Sequence, residues 1–230
     1  MGQSSTKEYQ QVSNKVASEQ TLESWVAQVN GLAVKGIYRG QVKNGKPNGH
    51  GIFRSDKLVI VGDWLQDQVH GNADCYGKDF CYKGQFQHNK MCGQGVYYGY
   101  KLGVVLEGQF QDNELNGRGK YYKNGKLVFD GEFVNGDLID GICYYDSGDK
   151  YQGPLILNKM QGYGTYTWKD GDFHKGEWIN DTKWGPGEQY RQTGATVNGI
   201  KHDKAATIRG TWTNGKLDEK SAKVTCECHK

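Results

Sequence analysis

Bulky apolar residues and glycine alternate along most of this chain at a steady interval. Two positions before a glycine stand Tyr38, Ile60, Tyr82, Leu106, Phe129, Tyr151, His174 and Ile208. Two positions after the same glycines stand Val42, Trp64, Phe86, Phe110, Phe133, Leu155, Trp178 and Trp212. The residues between are mostly polar, as with Arg39 and Gln41, Lys83 and Gln85, or Lys175 and Glu177. Side chains at i, i+2 and i+4 share one face of a strand, so each stretch predicts a strand with one apolar and one wet face. An antiparallel sheet packed on a single side has this pattern.

A second strand follows each of the first seven. Its leading glycine is Gly49, Gly71, Gly93, Gly117, Gly141, Gly162 or Gly185, nine residues after the first strand's glycine except at Gly141, where the offset is ten. Glycine, glycine and an aromatic residue alternate on one face, as in Gly93, Gly95 and Tyr97, or Gly162, Gly164 and Tyr166. Glycine weakens a strand, and aromatic rings lying over the bare backbone compensate. Some copies depart from the pattern. Repeat two has Ala73 for the second glycine and Cys75 for the aromatic, repeat five reads Cys143 at the second glycine, and repeat seven has Gln189 for the aromatic. Asn44-Gly45, Asn124-Gly125, Asn135-Gly136 and Asp170-Gly171 supply turns. Successive repeats lie 22 to 24 residues apart, and the last follows after 34. A period of this size marks a repeat architecture. The expected fold is all-β, an elongated single antiparallel sheet of consecutive hairpins over residues 35–230. Seven hairpins and a half repeat are expected, with an insertion at about 193–205.

The phrase of an aromatic-x-Gly-x-aromatic strand, a G-x-G strand and a D-G-like turn resembles the MORN repeat. Tyr151 to Leu155, Gly162 to Tyr166, Asp170-Gly171 and Gly176 to Trp178 carry the resemblance most closely, and it extends from residue 38 to about 212. It implies a non-enzymatic structural or scaffolding protein that binds other proteins of a larger assembly, in a cytoskeletal, ciliary or axonemal setting. The alternative it implies is a phospholipid- or phosphoinositide-binding module that tethers the chain to a membrane. Some relatives join such repeats to lipid-kinase or methyltransferase domains. Here 18 residues follow Trp212, too few for either.

Residues 1–34 are expected to form a tail with a cap helix. Ser5-x-x-Glu8 fits a capping box. Thr21 fits a second cap, with Leu22, Trp25, Val26 and Val29 at helical spacing and Asn30-Gly31 as a stop. Such a helix would cover the open edge before the first hairpin, or bind a partner. Gly2 with Thr6 fits the N-myristoylation pattern and is the candidate lipidation site. A single acyl chain gives only marginal, reversible membrane binding.

The position after each second-strand aromatic holds Arg54, Tyr76, Tyr98, Tyr122, Asp146, Thr167 and Tyr190, all expected to point away from the packed face. Tyr76, Tyr98, Tyr122 and Tyr190 are the candidate partner-binding residues. Cross-strand stabilisation and docking would both use such a stripe.

Charge and composition narrow the function further. The net charge of +3 on 230 residues, with no basic run, argues against nucleic acid and against a single-strand channel. It also lacks the cluster of roughly four to eight basic residues that grips anionic lipid. Glycine, 34 of 230, is accounted for by the repeat. No apolar run approaches the ~18 residues of a membrane span, and Met1 to Lys15 is polar. An intracellular, cytoplasmic or cytoskeletal protein with reduced thiols is therefore expected. The six cysteines lack a metal-finger spacing, and Cys226-Glu227-Cys228-His229 lacks a second ligand pair, so no metal and no cofactor are expected. The six histidines are dispersed, and no P-loop, G-x-S-x-G or His-Glu-x-x-His occurs. Neither catalysis nor a small-molecule substrate is expected.

Overall fold

The computed structural model describes residues 20–29 and 32–226. They divide into two compact units, 1–126 and 127–230. Each is built from antiparallel strands, and no helix occurs among the described residues. Gly2, Ser5 and Glu8 lie outside them.

In the first unit the strands are β1 (Gln20–Val29), β2 (Leu32–Lys43), β3 (Lys46–Arg54), β4 (Leu58–Leu65), β5 (Gln68–Gly77), β6 (Phe80–Gln87), β7 (Lys90–Gly99), β8 (Val104–Gln111) and β9 (Glu114–Lys123). Each pairs with the next along the chain. The second unit holds β10 (Lys126–Val134), β11 (Asp137–Tyr144), β12 (Lys150–Ile156), β13 (Lys159–Met160), β14 (Gly162–Thr167), β15 (Phe173–Ile179), β16 (Thr182–Arg191), β17 (Ala195–Val197), β18 (Ile200–His202), β19 (Ala206–Thr213) and β20 (Lys216–Cys226). There β16 pairs with β19 across the insertion, which forms its own small hairpin of β17 and β18. Asn198 ties that hairpin to β20, its Nδ2 donating to the Glu219 carbonyl at 2.9 Å.

One correction falls at the start. Residues 20–29 form strand β1, not the second half of a cap helix. They run antiparallel to β2, with Val26 opposite Lys35 and Val29 opposite Leu32. Thr21, Trp25, Val26 and Val29 are β-branched or aromatic, and the free edge of β2 offers them a ladder of hydrogen bonds. The edge is covered as expected, but by a strand.

The core is a row of nested rings. A ring two residues before a first glycine packs on the large residue of the following repeat. Tyr38 meets Trp64 at 5.3 Å between centroids, Tyr82 meets Phe110 at 5.3 Å, and Tyr151 meets Trp178 at 5.9 Å, all edge to face. Each such ring also lies over two glycines. Tyr82 covers Gly84 and Gly95, and a Cβ at Gly95 would collide with the phenol oxygen. That oxygen donates to the carbonyl of Gln85 at 3.1 Å. Tyr38 and Tyr151 repeat the bond to Gln41 and Pro154 at 3.0 and 3.2 Å. Where the ring is replaced by isoleucine the glycine gives way to alanine. Ile60 sits in a repeat with Ala73 opposite Gly62, and Ile208 in one with Ala222 beside the register partners Arg209 and Lys223.

The leading glycine of the second strand has a separate cause. Gly84 pairs with Gly95, and Gln85 pairs with Cys92, so the second strand carries two extra residues in a bulge. Gly93, at φ 54°, makes that bulge, and Gln85 Oε1 fills it by accepting the Gln94 N–H at 3.2 Å.

Repeat five is one residue shorter at this bulge. Gly131 pairs with Gly141, Glu132 with Asp140 and Phe133 with Leu138. Gly141 is therefore the second glycine, the first being deleted. Cys143, opposite Phe129, holds the aromatic position and not the second-glycine position read from the sequence. The eighth unit is a whole hairpin of β19 and β20 with Val224 opposite Ile208, although no G-x-G announces it.

Tight hairpin turns have two successive residues at positive φ, at His88 and Asn89, Asp112 and Asn113, or Asn180 and Asp181. These are the φ values of a type I′ turn, whose twist matches the strands. The second turn residue also clamps the preceding repeat. Asn89 donates its N–H to the Val69 carbonyl at 3.1 Å and accepts the Val69 N–H on Oδ1 at 2.8 Å. Asn113 and Asp181 do the same to Met91 and Met160.

Cys75, Cys81, Cys92 and Cys143 are free thiols, whereas Cys226 is disulfide-bonded, unlike the expectation of reduced thiols throughout. Burial pushes the Cys75 thiol up to about 12 and that of Cys143 up to about 11. Such thiols stay protonated and unreactive at neutral pH.

Candidate interaction site

The predicted tyrosines of the first unit lie in a row that also holds the buried Val59 and Cys81. This cross-strand row runs Arg54, Val59, Tyr76, Cys81, Tyr98, Val105, Tyr122 by register. The tyrosines share this row but are not adjacent rungs. Cys81 lies between Tyr76 and Tyr98, and Val105 between Tyr98 and Tyr122. All three are half-buried. Tyr76 donates to Asp74 Oδ2 at 2.8 Å, with Lys83 Nζ 5.6 Å from its ring centre. Tyr98 and Tyr122, with Val96, Val105, Glu107 and Gly125, line a cleft of about 300 Å³.

The shortened bulge of repeat five changes the tyrosine column. Its position after the second-strand aromatic site is Tyr144, not Asp146, because Cys143 holds that site. Tyr144 is exposed. Tyr190 belongs to the second unit and is stacked on Phe173, with ring centroids 5.5 Å apart and 15° between planes.

A second concentration of chemistry lies on the packed face of repeat seven, in the second unit. The large residue that closes each first strand faces one residue at the start of the second. That column reads Pro47, Val69, Met91, Leu115, Leu138, Met160, Lys183 and Leu217. Lysine stands where every other repeat has an apolar side chain. In the same repeat His174 replaces the covering tyrosine and Gln189 replaces the aromatic opposite it. His174 is 0% and Gln189 7% exposed. Lys183 Nζ donates to Gln189 Oε1 at 3.3 Å and sits 4.8 Å from the Trp168 ring centre. The Arg191 guanidinium lies on the same indole at 5.3 Å and is tied to the buried Asp172 at 3.0 Å. Burial, with Arg191 nearby, draws the Lys183 amine down to about 8. Burial, then Lys183, draws His174 down to about 3, and neither ring nitrogen has a hydrogen-bond partner.

His174 and Gln189 stand out in the sequence as departures from the repeat. Lys183 does not, because its column becomes visible only when the bulge is counted and the register known. Tabulating the residue paired with each Trp or Phe would have found it.

Five stretches match the MORN repeat family, at residues 38–57, 82–101, 107–126, 151–173 and 174–196. The chain is a MORN-repeat protein. Alsin from Rattus norvegicus is 31% identical over 177 residues, covering 72% of this chain and 9% of alsin. The chain thus spans under a tenth of that relative's length. MORN repeats serve as modules for binding proteins or membrane lipids and are not known as catalysts. Among the described residues no three His, Cys, Asp or Glu side chains gather to hold a metal ion. No helix among them is long and apolar enough to cross a membrane.

Proposed function

We propose that this MORN protein is a non-enzymatic scaffold that docks a protein partner on the tyrosine-bearing face of its first unit, within a cytoskeletal, ciliary or axonemal assembly. The observation that carries this reading is the cleft between Tyr98 and Tyr122. It combines two half-buried rings, two valines and an exposed Glu107 on a rigid sheet. Tyrosine beside aliphatic floor is the composition of interface centres, and a sheet face costs little ordering entropy on binding. The test is quantitative affinity capture from cell extract with wild type and with Tyr98→Ser/Tyr122→Ser. Captured partners should fall at least tenfold while the melting temperature shifts by only a few degrees. Equal capture by the two forms would refute the reading.

Liposome sedimentation addresses lipid binding and Gly2 acylation. Co-sedimentation with acidic vesicles that Gly2→Ala abolishes, with capture unchanged by the tyrosine substitutions, would favour a membrane tether.

A further inference from the structure

Lys183, one of the polar substitutions of repeat seven, lines a cleft of about 300 Å³ in the second unit. Tyr166, Trp168, Trp178, Met160 and Asp181 line it as well. The three rings form one cluster, with Tyr166 centred 5.1 Å from Trp168 and 6.1 Å from Trp178. A seam of apolar residues would pack this column as it does elsewhere, and lysine here costs stability. Among the described residues the Lys183 ammonium donates one hydrogen bond, to a neutral amide, and makes no ion pair. None of its neighbours forms an ion pair with it. Arg191 is already paired with Asp172, His174 stays neutral, and Asp181 spends Oδ1 on the Met160 N–H at 2.8 Å.

We propose that repeat seven binds an acidic protein segment, one carboxylate seated on Lys183 Nζ and the apolar side chain beside it held against Trp168 and Trp178. The charge count selects a carboxylate. Beside the Asp181 carboxylate a ligand carboxylate adds one negative charge for the single ammonium to meet, whereas a phosphate dianion adds two. The volume accommodates one or two side chains, near the lower end for ligand pockets. The aromatic walls supply apolar contact at little entropic cost. This site shares no residue with the tyrosine face of the first unit, so its failure would leave that docking reading untouched.

The test uses the full chain and three small probes: 3-phenylpropanoate, its neutral analogue 3-phenylpropanamide, and phenyl phosphate. Binding is followed through the indole N–H resonances of Trp168 and Trp178. The carboxylate should bind saturably with a Kd on the order of millimolar, as expected for a probe of this size. The amide should bind about tenfold more weakly, since it lacks the charge-assisted bond. Lys183→Met should weaken the carboxylate about tenfold and leave the amide unchanged. Met91 and Met160 fill the same column, so the variant should fold. A second measurement needs no variant. Raising the pH of the wild type from 7 to 9.5 discharges an amine that titrates near 8 and should weaken the carboxylate more than fivefold. Equal affinity for acid and amide, or carboxylate binding that neither Lys183→Met nor pH 9.5 weakens, would overturn the proposal. Tighter binding of phenyl phosphate than of the carboxylate would overturn it in favour of a phosphate site.

Discussion

Replacing His174 by tyrosine should remove an acid sensitivity built into repeat seven. His174 is fully buried over Gly176 and Gly187, against Trp178 and Trp212, with ring centroids 5.4 and 4.6 Å away. Burial holds its folded pKa near 3, against 6.5 for an exposed histidine. Between these values the unfolded chain binds a proton that the folded chain refuses, so stability is intact above about pH 6.5 and falls as pH drops toward 3. Going from pH 7.5 to 5 should cost the wild type on the order of 2 kcal/mol from this residue alone. Tyrosine fits the site, since Tyr38, Tyr82 and Tyr151 occupy the same column over paired glycines. Its hydroxyl would donate to the Glu177 carbonyl as theirs do to Gln41, Gln85 and Pro154. It would also end the burial of two unpartnered nitrogens, for a gain of roughly 1–2 kcal/mol at pH 7.5. The assay is urea unfolding followed by tryptophan fluorescence at pH 7.5, 6 and 5. Asp149 does not confuse this window. Its pKa is lowered from 3.8, chiefly by the Tyr166 hydroxyl, so it loses its contribution only at more acid pH. If His174→Tyr and wild type lose the same stability between pH 7.5 and 5, the buried neutral histidine is not the source and the reasoning fails.

Other consequences follow from the same packing. Gly95→Ala should destabilise by roughly 2–3 kcal/mol, because its methyl displaces the Tyr82 phenol from the Gln85 and Cys92 carbonyls. Adding Tyr82→Ile should recover at least ~1 kcal/mol of coupling, as the Ile60 and Ala73 pairing suggests; additive losses in the four-member unfolding cycle would count against this. Leu157 opens a type I′ turn at φ 51° while 85% exposed, so Leu157→Asn should raise stability by about 1 kcal/mol in thermal melts. A lower melting temperature would show that the leucine has a contact worth more than its strain.

Much of this architecture was open to sequence reasoning because its causes are local. A ring two residues from a glycine, repeated every 22 to 24 residues, specifies strand, face and turn within a few positions of each residue. The nesting of Tyr82 over Gly84 and Gly95 needs only neighbouring strands, and the tyrosine column of the first unit followed from alternation. Three features needed the fold. Residues 20–29 carry apolar spacing that suits a helix, and only the unpaired edge of β2 makes them a strand. The deleted bulge residue of repeat five preserves the strand pattern in sequence while shifting its meaning, so that Cys143 and Tyr144 take places read for other residues. Lys183 looks like any surface lysine until register sets it opposite Trp178, in a column of buried apolar side chains. Periodicity tells which way a side chain points relative to its own strand. What it meets there is decided by pairing across strands, which a single bulged residue can change.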